Sequence, residues 1–304
     1  MLRIGIGTVG RFKPAAAAAG MRQRGVRLLS TVSLEFTRVT PDRANHAAPP
    51  LVILHGLFGS KQNWRAISKQ LAHTLGCSTY SIDLRNHGDS PHQAPHSYTA
   101  MSGDIVRFIE EHGLQKPILI GHSMGGKVVM HTALQRPELV SQLIVDDMVP
   151  VQFGLAHDFA AYVDKLADIE GRNITSQKEM DVILAEVEPD LGVRQFLLTN
   201  MKKVKDPVVE GGVKNAYRSR IPLQLLGESL RGVMAWEAPD HVSYAGPTLF
   251  IAGTRSPYIK PKSYPIMKRY FPNYQLAELD TGHWVHAEKP LDFIRIVEKF
   301  ITEH

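Results

Sequence analysis

A chain of 304 residues with 43% apolar and 21% charged residues can bury a large core and has the charge content of an ordinary globular protein. Its net charge of +5 is misleading. Arg3, Arg11, Lys13, Arg22, Arg24 and Arg27 all precede the first acid, Glu35, and the remainder sets 29 basic against 30 acidic residues, which excludes a basic nucleic-acid-binding body. Cys77 is the only cysteine, so an internal disulfide and a cysteine-built zinc site are excluded, and no run of 18 apolar residues is present to span a membrane.

Residues 1–32 are Arg-rich, acid-free and end in Ser30 and Thr31, the composition of a mitochondrial transit peptide. Arg27-Leu28-Leu29-Ser30 resembles a matrix-protease site cut after Leu29, so the matrix is the expected location. Ser33–Thr40 reads as a first strand and Pro41–Pro50 as a loop. Leu51–His55 is apolar without polar alternation, the pattern of a strand buried on both faces. A helix is expected over Trp64–Leu75, a strand over Ser78–Leu84, and a helix over Thr99–His112 with Thr99 as its N-cap. Pro117–Gly121 and Gln142–Asp147 read as strands on either side of a helix beginning near Lys127. Such alternation builds a parallel sheet with helices on both faces.

From residue 150 to 245 the pattern turns helical, over Asp158–Ile169, Gln177–Glu188 and Val193–Lys203, as expected of a cap inserted between core segments 33–149 and 246–304. Alternation then resumes with Thr248–Ala252, Pro261–Tyr270, Tyr274–Leu279 and Leu291–Thr302.

The strongest chemical signal is Gly121-His122-Ser123-Met124-Gly125 between an apolar strand and a helix. This is the context of a nucleophile elbow, in which a strained turn presents the serine and side chains two residues away on either side would collide with neighbours. The fold expected is therefore the α/β-hydrolase fold. A serine needs a base, and His283, just after the last strand, is the candidate; His286 is expected to be a surface or packing histidine. The orienting acid is less plain. The loop Gly253–Tyr258 has no carboxylate, which leaves Asp146 and Asp147, whose side chains should point opposite ways. Two N–H donors for an oxyanion are expected from Met124 and Leu57, with Phe58 the neighbouring alternative. Asp83, His87 and Asp89 could be a metal set, but read better as a hydrogen-bonded loop; no metal or cofactor is expected. Phe153, Phe159 and Phe196 suit either an acyl pocket or the core.

The blocks His55–Ser60 (HGLFGS), Asp83–Pro91 (DLRNHGDSP), Gly121–Lys127 (GHSMGGK), Arg194–Asn200 (RQFLLTN) and Gly282–Lys289 (GHWVHAEK) resemble the α/β-hydrolase domain-containing protein 11 family over roughly Leu34 to Ile301. The resemblance implies the triad acid after the strand that follows the nucleophile helix, which is Asp147. It implies serine-dependent hydrolysis of short acyl esters or thioesters. Fungal relatives imply an alternative, an alcohol acetyltransferase taking acetyl from acetyl-CoA. Animal members, implicated in protecting lipoylated 2-oxoacid dehydrogenases, imply a mitochondrial protein partner. A non-catalytic binding protein on the same scaffold is the third reading.

Overall fold

The computed structural model describes residues 30–41, 48–154, 157–172, 174–205, 215–238 and 241–304. The first strands are β1 (Phe36–Val39), β2 (Leu51–Leu54), β3 (Thr79–Ile82), β4 (Ile118–His122) and β5 (Leu143–Asp146). They alternate with helices α1 (Arg65–Leu75), α2 (Tyr98–Glu111) and α3 (Met124–Gln135). Then come α4 (His157–Gly171), α5 (Gln177–Ala185), α6 (Leu191–Leu198), β6 (Met201–Val204), β7 (Ala216–Ser219) and α7 (Leu223–Met234). The chain returns through β8 (Thr248–Gly253), α8 (Tyr264–Tyr270), β9 (Tyr274–Leu279), α9 (Val285–Glu288) and α10 (Pro290–Glu303).

Seven strands form one sheet in the order β1-β3-β2-β4-β5-β8-β9. All neighbours are parallel except β1, which runs antiparallel to β3. The central strands are buried at every position because both faces are covered. Val52, Leu54, Leu119, Val145 and Phe250 join the core with α2 and α3, whereas Leu51, Ile53, Ile120, Ile144 and Ile251 join a second core with Trp64, Phe293 and Val297. This two-sided burial is what the missing polar alternation encoded.

Two expectations need correction. The helix start is capped by Ser97, whose Oγ accepts from the Ala100 N–H at 3.3 Å, rather than by Thr99, which lies inside the first turn of α2. The Val193–Lys203 helix ends at Leu198, and Met201–Val204 pairs instead with β7 in a small antiparallel sheet. Four-residue strands are too short to leave a period that distinguishes them from a helix end.

Residues 30–32 lie against the body. The Val32 N–H donates to Asp104 Oδ1 at 2.8 Å, and Arg85 reaches the Ser30 carbonyl at 3.1 Å. The leader over residues 1–29 lies outside the described residues. Among the described residues, no helix is long and apolar enough to cross a membrane.

Candidate active site

Ser123 sits where β4 turns into α3, with φ 54 and ψ −117, a strained conformation for a residue with a side chain. The flanking glycines explain how the turn survives. A Cβ on Gly121 would stand 2.3 Å from the Gly125 carbonyl oxygen, and one on Gly125 would stand 2.6 Å from the carbonyl oxygens of Leu54 and His55. The turn is pinned to the sheet by the Ser123 N–H, which donates to the Asp146 carbonyl at 3.1 Å. Ser123 heads α3, so its surroundings carry the positive end of a helix dipole.

His283 follows β9, and its Nδ1 lies 2.7 Å from Asp147 Oδ2. Asp147 is fully buried and held on all sides. Its N–H donates to the Ile251 carbonyl at 2.8 Å, and its Oδ1 accepts from the Gly253 N–H at 3.1 Å. The Ser256 hydroxyl donates to its Oδ2. Ser256 belongs to the loop that looked empty because it has no carboxylate; sequence reasoning searched that loop for acids and missed the donor. Asp147 also has positive φ, 47, which turns its side chain away from the strand alternation.

Asp146 goes the other way. Its neighbour two residues back, Ile144, packs in the Trp64 core, and Asp146 follows the same face. There its Oδ2 meets His286 Nδ1 at 2.6 Å. The His286 ring stacks on Trp64 with centroids 4.2 Å apart. His286 is thus a buried packing histidine and not a surface one, and the pair Asp147–His283 has a twin immediately behind it. His122 stands between them, its ring centroid 4.6 Å from both histidines and its Nε2 3.0 Å from the His283 carbonyl. Burial, then the neighbouring His286 and His283, push the His122 pKa well down, so the neutral ring donates to that carbonyl.

The donor atoms of His122, Asp146 and His286 lie within 4.8 Å of one another, the arrangement among the described residues that most resembles a cation site. The Asp146–His286 separation is nevertheless a hydrogen bond, since two ligands of one tetrahedral zinc stand roughly 3.4 Å apart. Asp83, His87 and Asp89 are likewise occupied. Asp83 accepts from the Lys61 N–H at 2.6 Å and from the Lys61 ammonium; Asp89 Oδ2 accepts from that ammonium at 2.6 Å and Asp89 Oδ1 from Arg220 at 2.7 Å.

The same loop bears on the choice between Leu57 and Phe58. The Phe58 N–H donates to His87 Nε2 at 3.2 Å and is therefore spent. His87 can accept because its Nδ1 carries the proton, donated to the Arg85 carbonyl at 3.1 Å, and because burial pushes its pKa well down. His55 works in the same way, with Nδ1 on the Gly56 carbonyl at 2.7 Å and Nε2 accepting from the Leu84 N–H at 3.0 Å. Leu57 and Met124 border one small recess together with Ser123. The Met124 amide is in the first turn of α3, where backbone N–H groups have no intrahelical partner.

Ser123 and His283 open onto a cleft of about 700 Å³, walled on the far side by α4 and α6. Phe159 and Phe196 line this cleft, and Phe153 lines the recess. Four residues after Ser123, Lys127 is buried, and its ammonium donates to the carbonyls of Met234 at 3.0 Å and Ala235 at 2.8 Å. Burial pulls its pKa down to about 7.

Comparison with known proteins agrees with this geometry. A family model described as the alpha/beta hydrolase fold matches residues 49–166 and 200–290. A Saccharomyces cerevisiae protein named "Probable alcohol acetyltransferase" is 40% identical over 266 residues, covering 84% of this chain and 78% of that one. The mouse sn-1-specific diacylglycerol lipase ABHD11 is 38% identical over 259 residues, covering 84% and 81%. The solved structure of a marine microorganism esterase superposes with a TM-score of 0.79 at 31% identity, covering 89% of this chain and 100% of that one. With its strand order, its strained serine elbow and these matches, the chain belongs to the α/β-hydrolase family, within the ABHD11-like group.

Proposed function

We propose that this protein is a serine carboxylic-ester hydrolase acting on short acyl esters or thioesters. The observation that carries the reading is a strained serine at a helix head sharing one cleft with an Asp147-oriented His283. His283 takes the Ser123 proton, and Ser123 attacks the acyl carbonyl. The Leu57 and Met124 N–H groups hold the oxyanion. His283 then protonates the leaving group, and water resolves the acyl-serine. The direct test is covalent labelling of Ser123 by a fluorophosphonate together with hydrolysis of p-nitrophenyl acetate. A wild-type protein that neither takes the label at Ser123 nor turns the ester over would favour a non-catalytic scaffold.

The same acyl-serine can be resolved by an alcohol, and the relative named as an alcohol acetyltransferase supports this second reading. Ethyl acetate formed from acetyl-CoA and ethanol would establish it; none at any ethanol concentration removes it. Residues 150–245 serve as the cap over the cleft, and the basic leader directs the chain to mitochondria, where a protein partner is expected. The leader's composition supports this address, and a cut after Leu29 would spare the Val32–Asp104 contact. Loss of mitochondrial import on replacing Arg22, Arg24 and Arg27 with Ser tests it.

A further inference from the structure

We propose that the site is divided into a small acyl recess and a large leaving-group chamber with an acidic mouth, so that its substrates are short-acyl esters of bulky neutral or cationic alcohols. The proposal rests on the serine-hydrolase reading above and adds the substrate class.

The recess holds about 10 Å³ of space, room for about one water-sized group. Its walls are pinned. Tyr98 is buried and its hydroxyl donates to the Val233 carbonyl at 2.5 Å, while the Lys127 ammonium grips the Met234 and Ala235 carbonyls. A chain longer than a few carbons would have to break those bonds. The chamber is about 700 Å³ and shares Leu57, Ser123, Phe159 and Tyr258 with the recess. His283 borders the chamber and not the recess. The group that receives the His283 proton is the leaving group. The alcohol therefore occupies the chamber and the acyl chain the recess.

Charge then selects the alcohol. The chamber lining includes Asp158, Asp190 and Glu288 and neither lysine nor arginine among the described residues. Arg255 offsets Glu288 at 2.9 Å. Asp158 and Asp190 are exposed, and Asp190 spends only one oxygen capping α6, through the Val193 N–H. His55 and His122, also in the lining, have pKa values lowered by burial and add no positive charge near neutrality. Trp284 and Phe196 add aromatic faces, with centroids 6.3 Å apart, that attract a cation. A coenzyme A ester would bring phosphates to this mouth.

The test uses three acetate esters of similar shape: acetylcholine, its neutral carbon isostere 3,3-dimethylbutyl acetate, and the acetate ester of a short hydroxyalkyl sulfonate. At low ionic strength, kcat/KM for the first two should exceed that for the anionic ester by about tenfold. The gap should shrink in high salt, and shrink again in the Asp158→Asn/Asp190→Asn double variant, where Asn retains the helix cap. Extending the neutral ester from acetyl to octanoyl should lower kcat/KM. An anionic ester cleaved as well as the neutral one at low salt, or an octanoyl ester preferred to acetyl, overturns the proposal. If Ser123→Ala abolishes all hydrolysis while the charge order is absent, the subsites alone are wrong. If Ser123→Ala stays active, the hydrolase reading itself fails. The salt series on the wild-type protein decides even if the double variant does not fold.

Discussion

Asp147 and His283 are 136 residues apart in sequence, yet Asp147 Oδ2 stands 2.7 Å from His283 Nδ1, while the adjacent Asp146 makes the same kind of bond, at 2.6 Å, to His286 on the opposite side of the strand. Two consecutive carboxylates thus serve two histidines three residues apart, of which His283 keeps 13% of its side chain exposed and His286 6%.

Asp147→Asn should lower kcat for p-nitrophenyl acetate by about 10⁴-fold, because an amide in place of the carboxylate favours the wrong imidazole tautomer and cannot steady the imidazolium. Asp146→Asn should do the reverse. It should spare kcat within about tenfold but cost on the order of 2 kcal/mol of stability through the weakened buried bond to His286. Kinetics and urea unfolding on the two variants check both halves; a collapse of kcat in Asp146→Asn would exchange the roles.

Ser256→Ala should reduce kcat/KM about tenfold, the consequence of removing one hydrogen bond, worth roughly 1.5 kcal/mol, from the charged Asp147. Ser256→Thr keeps the hydroxyl and should restore kcat/KM. An unchanged kcat/KM in Ser256→Ala would reduce the hydroxyl to packing.

Acid should unfold this protein early. Burial pulls both His96 and His131 down to about 4, with the charges of Arg85 and His55 adding to the effect at His96. An unfolded histidine titrates near 6.5, so between pH 6.5 and 4 the unfolded chain binds protons that the folded one refuses. The stability from keeping these rings neutral is complete above about pH 6.5 and is lost as pH falls towards 4, on the order of 3 kcal/mol per ring. The urea midpoint should fall steeply over this range, and His131→Leu should make the descent shallower. A midpoint constant from pH 7 to 5 would contradict the neutral-histidine core.

Gly125→Ala should abolish activity and destabilise the fold together, because the new Cβ would meet backbone oxygens of Leu54 and His55 at 2.6 Å and backbone cannot swing aside. Far-UV circular dichroism and thermal melting of the soluble fraction measure this. A variant as stable as wild type would mean that the elbow relaxes more easily than its packing indicates.

The residues most readable in sequence were those whose chemistry is local. The Gly121–Gly125 elbow declares itself because the two glycines and the serine meet within one turn, and His283 because it closes the last strand. Asp147 could not be separated from Asp146 by alternation alone. What separates them is a positive φ at Asp147, a tertiary constraint with no signature in residue type. Ser256 was overlooked for a related reason, since a hydroxyl near a triad acid matters only through what it touches. His286 stayed open between surface and packing because a histidine's burial depends on Trp64, more than two hundred residues earlier, lying flat against it. The hairpin of Met201–Val204 with Ala216–Ser219 was hidden by its brevity.

Lys127 couples parts of the molecule that would otherwise be free to evolve apart. The helix that presents the nucleophile also carries an amine whose hydrogen bonds close the end of Leu223–Met234. Grafting a foreign segment in place of 150–245 would strand a cation in an apolar wall unless the newcomer also offered a bare helix terminus at that spot. New specificities in such proteins should therefore arise by altering side chains along the existing segment more readily than by exchanging it whole.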